Sequence, residues 1–305
     1  MLRASISERT TFRWDLAEEV VALQQHGFDT LSAWRPKLSD LEPGEARRVL
    51  DAAGIRVSSL QWAGGFTGSE GSTFQESLTD ARAAICEAAE IGAAVLLIHT
   101  GCRSGHTLGH ARRLLQEALA SLAPYAEEFG VRLALKPTHP AASVGCGFLT
   151  QLEDALRFVR ELGHPCLGLA LDVWHFGHER DFLSLLPALI PSIRVLSLAD
   201  RAGAPAAEHD RLAPGDGTLP LNRILTRLAD AGYQGDVEFE FVAEPLLGEA
   251  DGPAASATRS PAGATAAAVT AGYHDALLRT RQAVYDYGCF VAPSNSSLPA
   301  SVPGR

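Results

Sequence analysis

Lys136, in LALKPTHP, and Asp172, in LALDVWHFGHERD, each end a strand-like run with small residues at alternate positions: Ala134 before the lysine, Gly168 and Ala170 before the aspartate. Residues two apart share a strand face, so each run ends in a charge on its small-residue face, with leucines on the other. Glu240, in DVEFEF, and Ser197, in VLSLAD, occupy similar strand-end positions. Carboxylates so placed can move a proton or ligate a cation. An ammonium cannot ligate a metal while protonated and repels one nearby. Lys136 and Lys37 are the only lysines among 26 basic residues. The ammonium of Lys136 either takes part in chemistry or marks a drifted site.

Further groups lie close by in the sequence. His99 ends VLLIH, His139 follows Lys136 by three, and His175 follows Asp172 by three. With Asp172 and Glu240, these histidines offer a conceivable ligand set for a transition metal. Arg211, in HDRLAPGDG, carries a guanidinium fork suited to a hydroxyl, carboxylate or phosphate, or to pairing with Asp210 or Glu208. Trp62 and Trp174 offer flat apolar walls for a ring, or serve as plain core.

Eight strand-like runs must carry these groups: Leu2 to Ile6, Phe28 to Ala33, Arg56 to Gln61, Ala94 to Thr100, Val131 to Lys136, Leu167 to Asp172, Ile193 to Leu198 and Asp236 to Phe241. Helix-length patterns separate them, and another at Tyr273 to Tyr287 follows the last. Such alternation predicts parallel βα units, here a single α/β domain with a (β/α)8 barrel over residues 1–290. Barrels of about 250 residues form one domain and keep their chemistry at the C-terminal strand ends. Residues 248–272 and 291–305 are rich in Ala, Gly, Ser, Thr and Pro. The first predicts a low-complexity loop over the barrel mouth, the second a disordered tail.

Composition narrows the function. A net charge of −10 and a pI near 5.5 disfavour nucleic acid as partner. The opening MLRASISERTTFRWD has no apolar leader core, and no stretch is long enough to span a bilayer. The expectation is a cytoplasmic protein with no membrane partner. Five cysteines without CxxC spacing predict reduced thiols. A P-loop, GxGxxG, GxSxG and HExxH are all missing from the sequence.

From LALDVWHFGHERD through RVLSLADRAG and HDRLAPGDG to DVEFEF, the chain resembles the sugar-phosphate isomerase/epimerase family, the xylose-isomerase-like TIM barrels. GFDTLSAW and VLLIHTG extend the resemblance over about residues 1–245. It implies one divalent metal (Mn, Mg, Co or Zn) held by four acidic or histidine ligands on the last four strands. Asp172 and Glu240 match two of them; Lys136 and Ser197 stand where the family has a glutamate and a histidine or glutamine. The expected metal site is therefore altered or absent.

What the resemblance implies for function is a sugar or polyol isomerase/epimerase, its substrate phosphorylated or not, working by proton transfer through an enediolate. Glu240 and Lys136 are then the catalytic pair. His175, Arg211, His99, His139, Trp62 and Trp174 would bind a small carbohydrate-like molecule, with an oligomer compatible. A dehydratase (lyase) acting on an inosose or dehydroshikimate type of substrate, and a non-catalytic carbohydrate-binding barrel, are the alternatives. The endonuclease branch of the superfamily is disfavoured, because the many ligands of its zinc cluster are not in place.

Overall fold

The computed structural model describes residues 1–42, 44–68, 71–142, 147–205, 210–241 and 266–292. Eight parallel strands close a barrel in sequence order: β1 (Arg3–Ser7), β2 (Thr30–Trp34), β3 (Arg56–Gly64), β4 (Val95–His99), β5 (Arg132–Lys136), β6 (Leu167–Asp172), β7 (Ile193–Leu198) and β8 (Asp236–Phe239). β1 and β8 complete the ring in the register Arg3↔Asp236 to Ile6↔Phe239. The (β/α)8 barrel read from the sequence is the observed architecture.

The principal helices outside the ring are α1 (Leu16–His26), α2 (Arg35–Leu38), α3 (Glu45–Ala53), α4 (Phe74–Ile91), α5 (Leu108–Glu128), α6 (Leu152–Leu162), α7 (Val173–Phe176), α8 (Phe182–Leu189), α9 (Leu221–Asp230) and α10 (Ala266–Tyr287). Local chemistry sets their ends. Asp15 with Glu18, and Thr73 with Glu76, form capping boxes that satisfy first-turn N–H groups of α1 and α4.

The strand faces divide the interior. Leu133, Leu135, Leu169 and Leu171 join the large core between sheet and helices. Val95, Leu97, Ala134, Ala170 and Val195 form a small apolar cluster of their own on the opposite face, inside the barrel. Toward β1, β2, β3 and β8 the lumen is polar: Ser5, Ser7, Ser32, Ser58, Ser59, Gln61 and Glu238 are all buried. Apolar side chains thus fill one half of a narrow lumen, and a hydrogen-bonded network fills the other.

Two sequence boundaries move. α10 starts at Ala266, so residues 266–272, read as loop, are helical. The run Ala266-Ala267-Ala268 has high helix propensity despite its low complexity. β8 ends at Phe239, which places Glu240 one residue beyond the strand. The rest of the loop, residues 248–265, and residues 293–305 of the expected tail lie outside the described residues. No helix among the described residues is long and apolar enough to cross a membrane.

Candidate functional site

The C-terminal ends of β5 and β6 bring Lys136 and Asp172 together, with Nζ 2.9 Å from Oδ2. The chain leaves β6 directly into α7, and Asp172 caps that turn by accepting the Trp174 N–H on Oδ1 at 3.0 Å. This one turn places Trp174 and His175 beside the carboxylate. His175 Nε2 lies 3.8 Å from Asp172 Oδ2, and its Nδ1 accepts the His139 N–H at 3.4 Å.

Arg211 arrives from the segment after β7. Asp200 and Leu212 exchange backbone hydrogen bonds of 2.9 and 2.8 Å, which fixes the chain next to Arg211. Its Nη2 donates to Asp172 Oδ2 at 2.7 Å, and its Nε lies 3.6 Å from Glu240 Oε1. One guanidinium therefore connects both carboxylates. The Trp174 ring carries it from below, 4.7 Å from centroid to Cζ.

Glu240 is held from its other side by Arg9, whose Nη1 donates to Oε1 at 2.6 Å, and by Gln61, whose Nε2 donates to Oε2 at 3.2 Å. Arg9 also stands over the Trp62 ring at 5.5 Å, and Trp62 packs on His99 with centroids 5.0 Å apart. Gly64 permits this meeting of β3 and β4, since a Cβ there would lie 2.0 Å from the His99 carbonyl oxygen. Ser197 pairs in register with Asp172 and with Glu238, and its buried hydroxyl makes no hydrogen bond among the described residues.

Lys136, Asp172, Arg211 and Glu240 are all at most 3% exposed, so their charges interact in a medium of low effective dielectric. Burial pushes the Asp172 carboxyl up, but Arg211 and Lys136, aided by His175, outweigh it and hold the group well below the usual carboxylate range. It remains ionised at neutral pH. Below Glu240 in the lumen, burial raises Glu238 to about 7, against hydrogen bonds from Ser59 and Ser58 and with the Glu240 charge adding to the rise. Burial likewise lowers His139, as does the nearby Arg201 charge.

The sequence candidates fall into two groups joined by Glu240. Lys136, Asp172, His175, Arg211, Trp174 and the His139 backbone cluster on one side; Trp62 lies on the other, and His99, in register with Lys136 on the adjacent strand, packs against Trp62 between them. Trp174 is fully buried, so its ring supports Arg211 instead of offering an open wall. Sequence reasoning missed Arg9, Gln61 and Glu238. Only Glu238 had a signal, the period-two spacing to Glu240 in EFEF.

A divalent cation does not fit this arrangement. Lys136 and Arg211 converge on Asp172 Oδ2, Oδ1 caps α7, and Arg9 and Gln61 take the Glu240 oxygens. Three cationic side chains surround the two carboxylates, and Ser197 offers only a hydroxyl. Among the described residues, no three His, Cys, Asp or Glu side chains are grouped to hold a metal ion. The alternative set of His99, His139, Asp172, His175 and Glu240 is likewise not assembled.

Comparison with known proteins places the chain in a family. The chain is 31% identical to an inosose isomerase of Halalkalibacterium halodurans over 134 residues, 42% of this chain and 46% of that protein, so the match spans about half of the relative's length. It is 27% identical over 275 residues to a putative hydroxypyruvate isomerase of Streptomyces coelicolor, covering 83% of this chain and 92% of that one. A 3-dehydroshikimate dehydratase of Pseudomonas putida is 24% identical over 241 residues, 74% of this chain and 36% of that one. A crystal structure of a protein from Sinorhizobium meliloti 1021 superposes with a TM-score of 0.72 at 30% identity, covering 78% of this chain and 88% of that one. The sequence profile of the xylose isomerase-like TIM barrels matches residues 20–262, and the chain belongs to that family.

Proposed function

We propose that the protein is an isomerase or epimerase of small hydroxycarbonyl compounds, of sugar or polyol type, in which fixed cationic side chains stand where a metal ion would act. The observation that carries this reading is the Arg211 bridge between Glu240 and Asp172, with Lys136 on the same Asp172 oxygen. A carbon next to a carbonyl gives up its proton only if the oxygen's developing negative charge is stabilised. Lys136 and Arg211 supply N–H donors and positive charge for that oxygen. Asp172, ionised and held by both, fixes them in place.

Glu240 is the proton carrier. Its carboxylate, oriented by Arg9 and Gln61, removes the proton from the carbon beside the carbonyl, leaving an enediolate on the substrate. Return of the proton to the former carbonyl carbon, with the hydroxyl proton passing from one oxygen to the other, gives the isomer; return to the opposite face of the original carbon gives the epimer. His175, His99 and Trp62 border the space in which the substrate's hydroxyls would lie.

The decisive experiment incubates ketoses, aldoses, inososes and hydroxypyruvate with the protein in D2O and follows deuterium entry next to the carbonyl by NMR. Deuterium should enter at least one compound with the wild type and none with Glu240→Gln. A dehydratase is the second reading, favoured by the similarity to the 3-dehydroshikimate dehydratase. It shares the first proton transfer but expels a hydroxyl as water, so an unsaturated product in the same spectra would select it.

A further inference from the structure

Arg201 is a buried arginine of the segment after β7. It follows the end of β7 by three residues, and its backbone is firmly held. Its N–H donates to Asp200 Oδ1 at 2.8 Å, and its carbonyl accepts the Thr218 N–H at 2.9 Å and the Thr218 hydroxyl at 3.2 Å. Asp200 is itself fixed by the N–H groups of Gly215 and Leu219, each at 3.0 Å. Gly217 lies so close that a Cβ would stand 2.5 Å from the Arg201 carbonyl oxygen and 2.6 Å from its nitrogen.

The side chain is only 3% exposed. Nη1 donates to the Gly203 carbonyl at 2.8 Å, while the buried Nε has no hydrogen-bond acceptor among the described residues. Among those residues, no carboxylate forms an ion pair with this guanidinium. Asp172 and Glu179 are near enough for their charges to act on it, and its own charge acts on His139 and His178. Its chain neighbour Asp200 pairs through the backbone with Leu212, next to Arg211, so Arg201 lies beside the segment that carries Arg211 into the site. Asp172 is already engaged by Lys136 and Arg211. A buried charge is retained where an opposite charge or strong acceptor completes it.

We propose that Arg201 is an anion-binding residue of the site, and that the edge formed by its Nε and Nη2 receives a carboxylate of the substrate. The parallel N–H groups of that edge match the two oxygens of a carboxylate, and Nη1 is occupied by Gly203. The substrate class narrows from hydroxycarbonyl compounds in general to those bearing an acid group. This inference rests on the reading of the site as one for small hydroxycarbonyl compounds.

Binding is measured without turnover, so the result stands apart from any failure to find isomerase activity. Glycerate, glycerol and glycerol 3-phosphate are titrated against the wild type, Arg201→Gln and Arg201→Lys by calorimetry. Glycerate should bind the wild type saturably and glycerol should not. Arg201→Gln should weaken glycerate at least about tenfold, the loss expected for a charge-assisted pair, and Arg201→Lys should weaken it less. Melting of Arg201→Gln should occur at or above the wild-type temperature, because a buried charge without a counter-ion has been removed. If the glutamine variant does not fold, the lysine variant and the wild-type preference for glycerate over glycerol carry the test. Equal glycerate affinity in wild type and variants, or no saturable glycerate binding, overturns the proposal. Binding of glycerol 3-phosphate in place of glycerate overturns the assignment to a carboxylate.

Discussion

The Nζ of Lys136 lies 2.9 Å from Oδ2 of Asp172, joining the ends of two adjacent strands with opposite charges at the floor of the barrel mouth. Both side chains are almost wholly buried. Arg211 shares the same oxygen at 2.7 Å. Asp172 is thus the anchor for two cationic groups.

The two lysines of the chain should behave differently. Lys37 pairs with Glu19, and their side chains are 6% and 0% exposed. Glu19 also accepts the Thr11 hydroxyl. Lys37→Met leaves that carboxylate buried without its cation, and should cost about 3–5 kcal/mol in urea unfolding. A loss below about 1 kcal/mol would show that the pair is not structural.

Glu8 gives the fold a dependence on pH. Burial raises its carboxyl to about 8, with the Glu19 charge adding to the rise and Lys37 and the Trp34 N–H opposing it. Between about 4.5 and 8 the folded chain holds a proton there that the unfolded chain has released, so stability declines as pH rises through this window. Glu8→Gln cannot ionise, and should flatten the decline seen in urea midpoints between pH 5 and pH 8. Parallel slopes in wild type and variant would assign the dependence to other groups.

Metal binding should be recoverable by substitution. Lys136→Glu with Ser197→His puts a carboxylate and an imidazole on β5 and β7 beside Asp172 and Glu240; Ser197 already sits in register with Asp172. The double variant should melt higher in the presence of manganese or zinc, and the wild type should not. No shift in a folded double variant would mean that the surrounding arginines have reshaped the site beyond its ligands.

Much of this was legible in the sequence, for a local reason. GLALD and RLALK alternate small and large residues with period two, which states at once the barrel face, the narrow lumen and the charge at the strand end. The placement of Lys136, Asp172 and Glu240 followed. Arg9 was not legible, because its contact with Glu240 spans 231 residues and exists only once β1 closes against β8. Arg201 carries no spacing signal; its significance lies in burial and in an Nε without an acceptor among the described residues, which only the folded chain shows. The start of α10 was misplaced because an alanine-rich stretch satisfies both a low-complexity reading and a helical one.

The most direct test of fixed cationic groups acting in place of a metal is turnover of the substrate identified by deuterium exchange, measured after chelation and with Lys136→Met. Methionine keeps the bulk of the side chain but removes the charge, and loss of one such electrostatic group costs about 10² to 10³ in rate. The wild type should keep its full rate after chelation and gain nothing from added manganese, magnesium, cobalt or zinc, while Lys136→Met should lose rate by that factor. A wild type that loses activity on chelation and regains it with a divalent cation would contradict the account.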